Sequence, residues 1–265
     1  MSGFAPGIEG RTALVTGASG GLGRVMALGL AQAGADLVVH HFGDAAGAGE
    51  VAAEAAAMGR RADVIEADFT AAGAAEGLAA GVLARGPVDI LVANAAIELR
   101  GPWQEIDEAH VGRHVAANFA SLLTLAGRLV PPMAERGFGR VVAIGSVLAG
   151  RPRAETVVYA ALKSAQLTAI RAIAREVAGQ GVTMNVISPG AMRTEKTAAR
   201  YADPAFRAAV VAKIPVGRPG EADDLVGPLL LLCSEAASYI TGADIPVDGG
   251  WSIGDPPGAL PQPAR

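Results

Sequence analysis

Short β-branched runs alternate along the chain with longer stretches rich in Ala and Leu. Residues 12–16, 37–40, 62–66, 90–93, 141–144, 184–187 and 245–247 read as seven strands. Segments 22–33, 50–58, 156–178 and 222–233 are long enough to be crossover helices between them. Two of these stop at Gly34 and Gly59, the residue type a helix C-terminus prefers. Alternating strands and helices predict an α/β fold: a parallel sheet covered on both faces. No break in composition divides the chain and no fixed repeat is visible, so one domain is expected over residues 1–253. The Pro-rich stretch 254–265 reads as an extended tail.

Composition narrows the class of partner. The formal net charge is -4, the pI is near 5.6 and no Lys/Arg-rich run of five or more occurs, which argues against a nucleic-acid footprint. Small molecules are the expected partners. The start lacks a basic region followed by an apolar one, and no apolar run approaches the ~20 residues of a membrane span. The single cysteine, Cys233, excludes an internal disulfide or a structural zinc cluster and fits a reducing cytoplasm; no metal site is expected.

Chemistry first appears where strand 12–16 runs into Gly17-Ala18-Ser19-Gly20-Gly21-Leu22-Gly23 and then a helix. Glycines there allow a tight turn and bring a pyrophosphate close to backbone N–H groups at a helix N-terminus, where the dipole favours negative charge. An ordinary strand-to-helix turn is the alternative. In open α/β sheets ligands lie beyond the carboxyl ends of the strands, and Asp68 and Asn94 fall on that same rim. Either can equally serve as a turn or cap residue.

A second constellation follows. Tyr159 and Lys163 are spaced i, i+4 on a predicted helix, so both side chains share one face. A free phenol has a pKa near 10, and a neighbouring cation is expected to lower it toward the operating pH. Ser146, just beyond strand 141–144, can hydrogen-bond a substrate oxygen as charge develops, or simply cap a turn. Asn118 lies inside a predicted helix, where Asn is a poor former; a functional water, a backbone contact or plain exposure would each explain it.

Thr16-Gly17-x-x-x-Gly21-x-Gly23, Asp68, Asn94-Ala95, Asn118, Ser146, Tyr159-x-x-x-Lys163, Pro189-Gly190 and Asp248-Gly249-Gly250 occur together, in this order. On these residues the chain resembles the short-chain dehydrogenase/reductase family from Thr16 to Gly250. The resemblance implies a single Rossmann-type doubly wound domain with strand order 3-2-1-4-5-6-7. It also implies reversible hydride transfer between a nicotinamide cofactor and a secondary alcohol or ketone. Tyr159 would exchange the proton, Ser146 steady the oxygen, Lys163 tune Tyr159 and bond the nicotinamide ribose, and Asn118 hold a water in a relay to Lys163. The cofactor would lie along Gly17, Ser19, Gly21, Leu22, Gly23, His41, Asp68, Phe69, Asn94, Ala95, Tyr159, Lys163, Pro189, Gly190, Met192 and Thr194. The substrate would meet Ser146, Leu148, Arg153 and Tyr159 beneath a lid at residues 191–213. A homotetramer or dimer is implied, with the Tyr159 helix and the region from Asp244 to Trp251 in subunit contacts.

Within that family the chain is most similar to sugar, polyol and sugar-acid dehydrogenases such as gluconate 5-dehydrogenase. A 3-oxoacyl-carrier-protein reductase is the alternative, and a non-catalytic dinucleotide sensor a second one. Arg100, Arg151 or Arg153 is a candidate for recognising an acidic group on the substrate. Two departures from the family pattern are Ala96, where glycine is usual, and Gly20, where arginine is common.

Cofactor choice turns on the end of the second strand, Val38-Val39-His40-His41-Phe42-Gly43. His41 stands where NAD-selective members carry an Asp that accepts from the ribose 2′-hydroxyl and repels a 2′-phosphate. Without that carboxylate NADP(H) is expected over NAD(H), with dual use open. His41, backbone N–H groups and Arg24 are the candidates for holding the phosphate.

Overall fold

The computed structural model describes residues 6–253, so the tail expected at 254–265 lies outside the described residues. β1 (Thr12–Val15), β2 (Asp36–His41), β3 (Ala62–Glu66), β4 (Ile90–Ala93), β5 (Gly139–Ile144), β6 (Val182–Pro189) and, last in the chain, Asp244–Val247 form one seven-stranded parallel sheet. Counting the two short strands β7 (Met192–Arg193) and β8 (Gly220–Glu221) that intervene, Asp244–Val247 is β9. The order is β3-β2-β1-β4-β5-β6-β9, the order expected with the seventh strand of the sheet at its edge. β7 and β8, which the pattern of the sequence does not announce, pair with each other as a separate parallel ribbon.

The strands are buried on both sides because their side chains alternate between two cores. In β1, Ala13 and Val15 point to one side and Leu14 to the other; in β4, Ile90 and Val92 oppose Leu91. One layer is built from α1 (Gly21–Gln32), α2 (Ala45–Ala57) and α9 (Val226–Cys233), with Met26, Leu30, Val51, Leu229 and Leu232 buried against the sheet. The opposite layer is α3 (Ala74–Leu83), α5 (Ser121–Glu135) and α6 (Val157–Val177), contributing Leu78, Leu125, Leu129 and Ile170. α4 (Glu108–His114) runs into α5 through a wide π-helical turn, Val115–Ala120. α7 (Glu195–Tyr201) and α8 (Pro204–Val211) occupy the expected lid and bury none of their own side chains.

Several boundaries differ from the expectation, for local reasons. α2 begins five residues earlier than its apolar pattern suggests, because the Asp44 side chain accepts from the Gly47 N–H and caps it there. The stretch 222–233 is a 3₁₀ turn over Ala222–Leu225 before α9 starts. Gly34 and Gly59 do end their helices, with φ of +100° and +76°, values that L side chains rarely adopt.

Candidate active site

Every strand of the main sheet points its carboxyl end the same way, so the loops after β1, β4, β5 and β6 meet on one rim. The glycine turn after β1 is held from two sides. Thr16 Oγ1 accepts from the N–H groups of Asn94 (2.9 Å) and Ala95 (3.0 Å), while Asn94 Nδ2 donates to the carbonyls of Thr16 (2.9 Å) and Gly17 (3.1 Å). These bonds lash β1 to β4. On the other side His40 Nδ1 accepts from the Gly17 N–H at 3.0 Å, and its Nε2 lies 3.0 Å from the Ala67 carbonyl. An acceptor at Nδ1 requires the neutral ring, so Nε2 carries the proton. Phe69 stacks on that ring at 4.4 Å, which places the expected cofactor residue Phe69 in the core rather than with its ring open to a ligand.

The turn fits a dinucleotide pyrophosphate. Gly17 and Gly21 have φ of +64° and +55°, and a Cβ on Gly23 would sit 2.0 Å from the Gly17 carbonyl oxygen. Beyond Gly20 and Gly21, by contrast, a Cβ would meet nothing within 4 Å, and no acidic residue occupies the first turn of α1. Free N–H groups and an uncharged, open approach are what an anion needs.

Burial drives the proton affinity of His40 down to about 4, its bond to Ala67 opposing and the charge of His41 assisting. Its folded pKa lies below the usual 6.5, so the unfolded chain binds more protons between the two values. Stability is therefore complete above pH 6.5 and lost as pH falls toward 4, by about 3 kcal/mol. We expect the urea midpoint and dinucleotide affinity to fall together across that window. In His40→Gln, whose carboxamide does not titrate, that part of the acid loss should vanish; an unchanged profile would detach the imidazole from the glycine turn.

Residues expected at the adenosine end are less free than the sequence suggests. Asp68 Oδ1 accepts from the Thr70 N–H and hydroxyl at 2.8 and 2.7 Å, a turn bond of its own. His41 is 3% exposed with Nδ1 unpartnered. Arg24 reaches Glu50 at 2.9 Å and Glu54 at 2.5 Å on α2, which uses the guanidinium that was a candidate phosphate clamp. The Ser19 side chain, and after it the Gly47 N–H, hold the Asp44 carboxyl below the usual carboxylate range.

On the catalytic side, Ser146 Oγ accepts from the Leu148 N–H at 3.1 Å. Tyr159 is placed by α6, and the Ser146 side chain lies close enough to favour its ionised form. Lys163, one turn on and 2% exposed, carries its ammonium 5.5 Å from the centre of the Tyr159 ring and donates to the Ile144 carbonyl at 2.6 Å. Burial, followed by the charge of Glu98, pushes Tyr159 up to about 12 against the opposing influence of the Ser146 side chain and the Arg100 charge. The ammonium is aimed at a backbone carbonyl, and desolvation of a phenolate outweighs it.

Asn118 is buried, and of its three sequence explanations the backbone contact holds: Oδ1 accepts from the Ile97 N–H and Nδ2 donates to the Ile97 carbonyl, both at 2.8 Å. The neighbouring residue of that loop, Leu99, donates to His114 Nε2 at 3.2 Å. Asn118 and His114 thus fix the segment that carries Glu98 and Arg100 beside Tyr159. Arg100 pairs with Glu98 at 2.7 Å. Arg151 instead donates to the Trp251 carbonyl, and Arg153 is exposed with only its carbonyl engaged, by the Thr156 hydroxyl. Pro189, the last residue of β6, pairs with β9, and Gly190 follows it, where a Cβ would lie 2.7 Å from that of Asp248. Met192 is buried, and Thr194 begins α7, its N–H donating to Thr197 Oγ1 at 2.8 Å.

His40, Glu98, His114 and Gln166 were missed by sequence reasoning. For His40, His114 and Gln166 a polar residue on an apolar strand or helix face was the only signal; Glu98, in the loop after β4, gave none.

Residues 17–252 match a family model described as enoyl-(acyl carrier protein) reductase. A 2-dehydro-3-deoxy-D-gluconate 5-dehydrogenase from Pseudoalteromonas atlantica is 37% identical over 92% of this chain and 96% of its own. A structure described as an NAD(P)-dependent gluconate 5-dehydrogenase from Beutenbergia cavernae, with NADP bound at low occupancy, superposes with a TM-score of 0.89. It is 38% identical over 95% of this chain and 100% of its own. A 3-oxoacyl-(acyl-carrier-protein) reductase from Agrobacterium tumefaciens with NADP bound gives 0.88 and 36% identity, over 92% and 95% of the two chains.

Proposed function

The chain belongs to the short-chain dehydrogenase/reductase family, and on that premise we propose that it is an NADP(H)-dependent oxidoreductase acting on a secondary alcohol or ketone of a sugar, polyol or sugar acid. The observation that carries this reading is the gathering of Tyr159, Ser146 and the Lys163 ammonium, 5.5 Å from the centre of the Tyr159 ring, on the rim that holds the glycine turn. When bound, the cofactor supplies or accepts the hydride at nicotinamide C4. The protein does the rest. Ser146 and Tyr159 hold the substrate oxygen, and Tyr159 gives it a proton in reduction. The residues that would hold the cofactor are those of the glycine turn, Ser19, His41, the loops at Asp68 and Asn94, Lys163, and the segment from Pro189 to Thr194.

Arg100 is the best placed of the three candidate arginines for an acidic substrate group, since its charge reaches Tyr159. Arg100→Met should raise KM for the best sugar-acid substrate about tenfold with kcat little changed. A KM that does not move disposes of this role. The test of the whole reading is turnover of the purified protein on a panel of polyols, sugar acids and 3-oxoacyl thioesters with each dinucleotide. Preference for the thioesters would favour the acyl-carrier-protein reductase reading, which the Agrobacterium likeness supports. No turnover at all would favour a dinucleotide sensor. A tenfold or greater preference for NAD in kcat/KM would overturn the cofactor assignment. Exposed Val111, Val115, Leu123 and Val157 on α4 to α6 support a homotetramer or dimer built through the Tyr159 helix, and the single buried cysteine fits a cytoplasmic setting.

A further inference from the structure

Gln166 lies one turn beyond Lys163 on α6, and both side chains are buried on the same face, at 3% and 2% exposure. Its Nε2 donates to the main-chain carbonyl of Asn118, while its Oε1 has no hydrogen-bond partner in the protein. Leaving a buried amide oxygen unsatisfied is costly, so such an atom implies a donor.

The partner of Nε2 narrows what that donor is. Asn118 sits in the π-helical turn Val115–Ala120, a form that often marks functional sites. Both ends of the Asn118 side chain are turned to Ile97, and its main-chain carbonyl faces Gln166. Gln166 takes one side of that carbonyl. Lys163 has three N–H donors and uses one on Ile144 within the protein, which leaves two for the site. A buried acceptor and a buried, incompletely bonded ammonium therefore stand one helical turn apart.

We propose that Gln166 is a positioning residue for the oxidoreductase reaction: its carboxamide oxygen holds a water that accepts from the Lys163 ammonium and fixes its direction behind Tyr159. The water gives one O–H to Gln166 Oε1 and accepts one N–H from Lys163, so no bond to hydrogen need break. The inference rests on the functional reading above for its consequence and on the unpartnered oxygen for its existence.

The two are tested separately. A crystal structure of the holoenzyme at about 1.5 Å should show an ordered water bridging Lys163 Nζ and Gln166 Oε1, absent in Gln166→Met. Failure to find it overturns the proposal whether or not the protein turns over any substrate. With an active substrate in hand, Gln166→Met should lower kcat about tenfold, with cofactor KM within about threefold, and move the limb of kcat for alcohol oxidation to higher pH. The direction follows because an ammonium that has lost an acceptor gives up its proton more readily, is charged less of the time, and so favours the phenolate less. Gln166→Glu guards against a simple folding defect. Protonated, its carboxyl can donate to Asn118 and accept from the water, so activity should be rescued at low pH and lost as it ionises. A Gln166→Met enzyme with parental kcat, or a lower kcat with an unmoved pH limb and no acid rescue by Glu, overturns the assignment.

Discussion

Tyr159→Phe lowers kcat for carbonyl reduction by roughly 10²- to 10⁴-fold and leaves dinucleotide affinity within about threefold of the parent. The substitution removes one hydroxyl from a ring otherwise held by α6. Because burial and Glu98 push that hydroxyl up to about 12, it remains a protonated donor throughout the usual assay range. Reduction needs the phenol in that form, and oxidation needs it ionised. The parent enzyme should therefore reduce at a rate nearly flat from pH 6 to 9 and oxidise faster as pH rises toward the phenol's value. In the Phe variant the pH dependence of oxidation should disappear along with the rate. Single-turnover measurements in both directions, with a fluorescence titration of NADPH, would check this; a variant within tenfold of parental kcat would remove Tyr159 from proton transfer.

The second large effect couples activity to stability with opposite signs. Burial pulls Lys163 down to about 8 from its usual 10.5, so the unfolded chain binds more protons between those values. Stability consequently rises with pH from 8 to 10.5. Below pH 8 both states carry the charge, and holding the ammonium inside costs the fold about 3 kcal/mol. Lys163→Met removes that cost and also the donor to the Ile144 carbonyl, whose loss returns about 1–3 kcal/mol. We expect the net change at pH 7 to lie within about 2 kcal/mol of zero, where truncating a comparably buried apolar residue would cost about 2–5. The alkaline rise in stability should be absent from the variant. Turnover, however, should fall at least about 100-fold and dinucleotide affinity should weaken, since one ammonium serves both ribose and phenol. Urea denaturation at pH 7 and pH 10 beside steady-state kinetics separates the two. An inactive variant that is also unfolded at pH 7 would show the lysine to be structural.

Much of this architecture is legible one residue at a time. Alternating apolar strands forced a sheet buried on both faces, and parallel strands forced their carboxyl ends to one rim. Gly17 and Gly23 announced a turn with no room for a side chain on its inner side, and Tyr159 and Lys163 share a helix face by spacing alone. The two-stranded ribbon of β7 and β8 left no such trace, because two residues are too few for a periodicity.

The sequence by itself determined the parallel sheet, the rim on which the site lies and the residue types gathered there, since these follow from local periodicity and chain connectivity, while the order of the strands came from the family resemblance. Only the tertiary structure decided what each polar atom faces. It made His40, not His41, the imidazole that anchors the glycine turn, and it tied Arg24 to α2 and Arg151 to Trp251. It also turned Lys163 onto a carbonyl and raised rather than lowered the phenol beside it. The physical reason is that hydrogen-bond partners and desolvation depend on segments far apart in the chain being brought within about 3 Å of one another, a distance no spacing along one segment encodes.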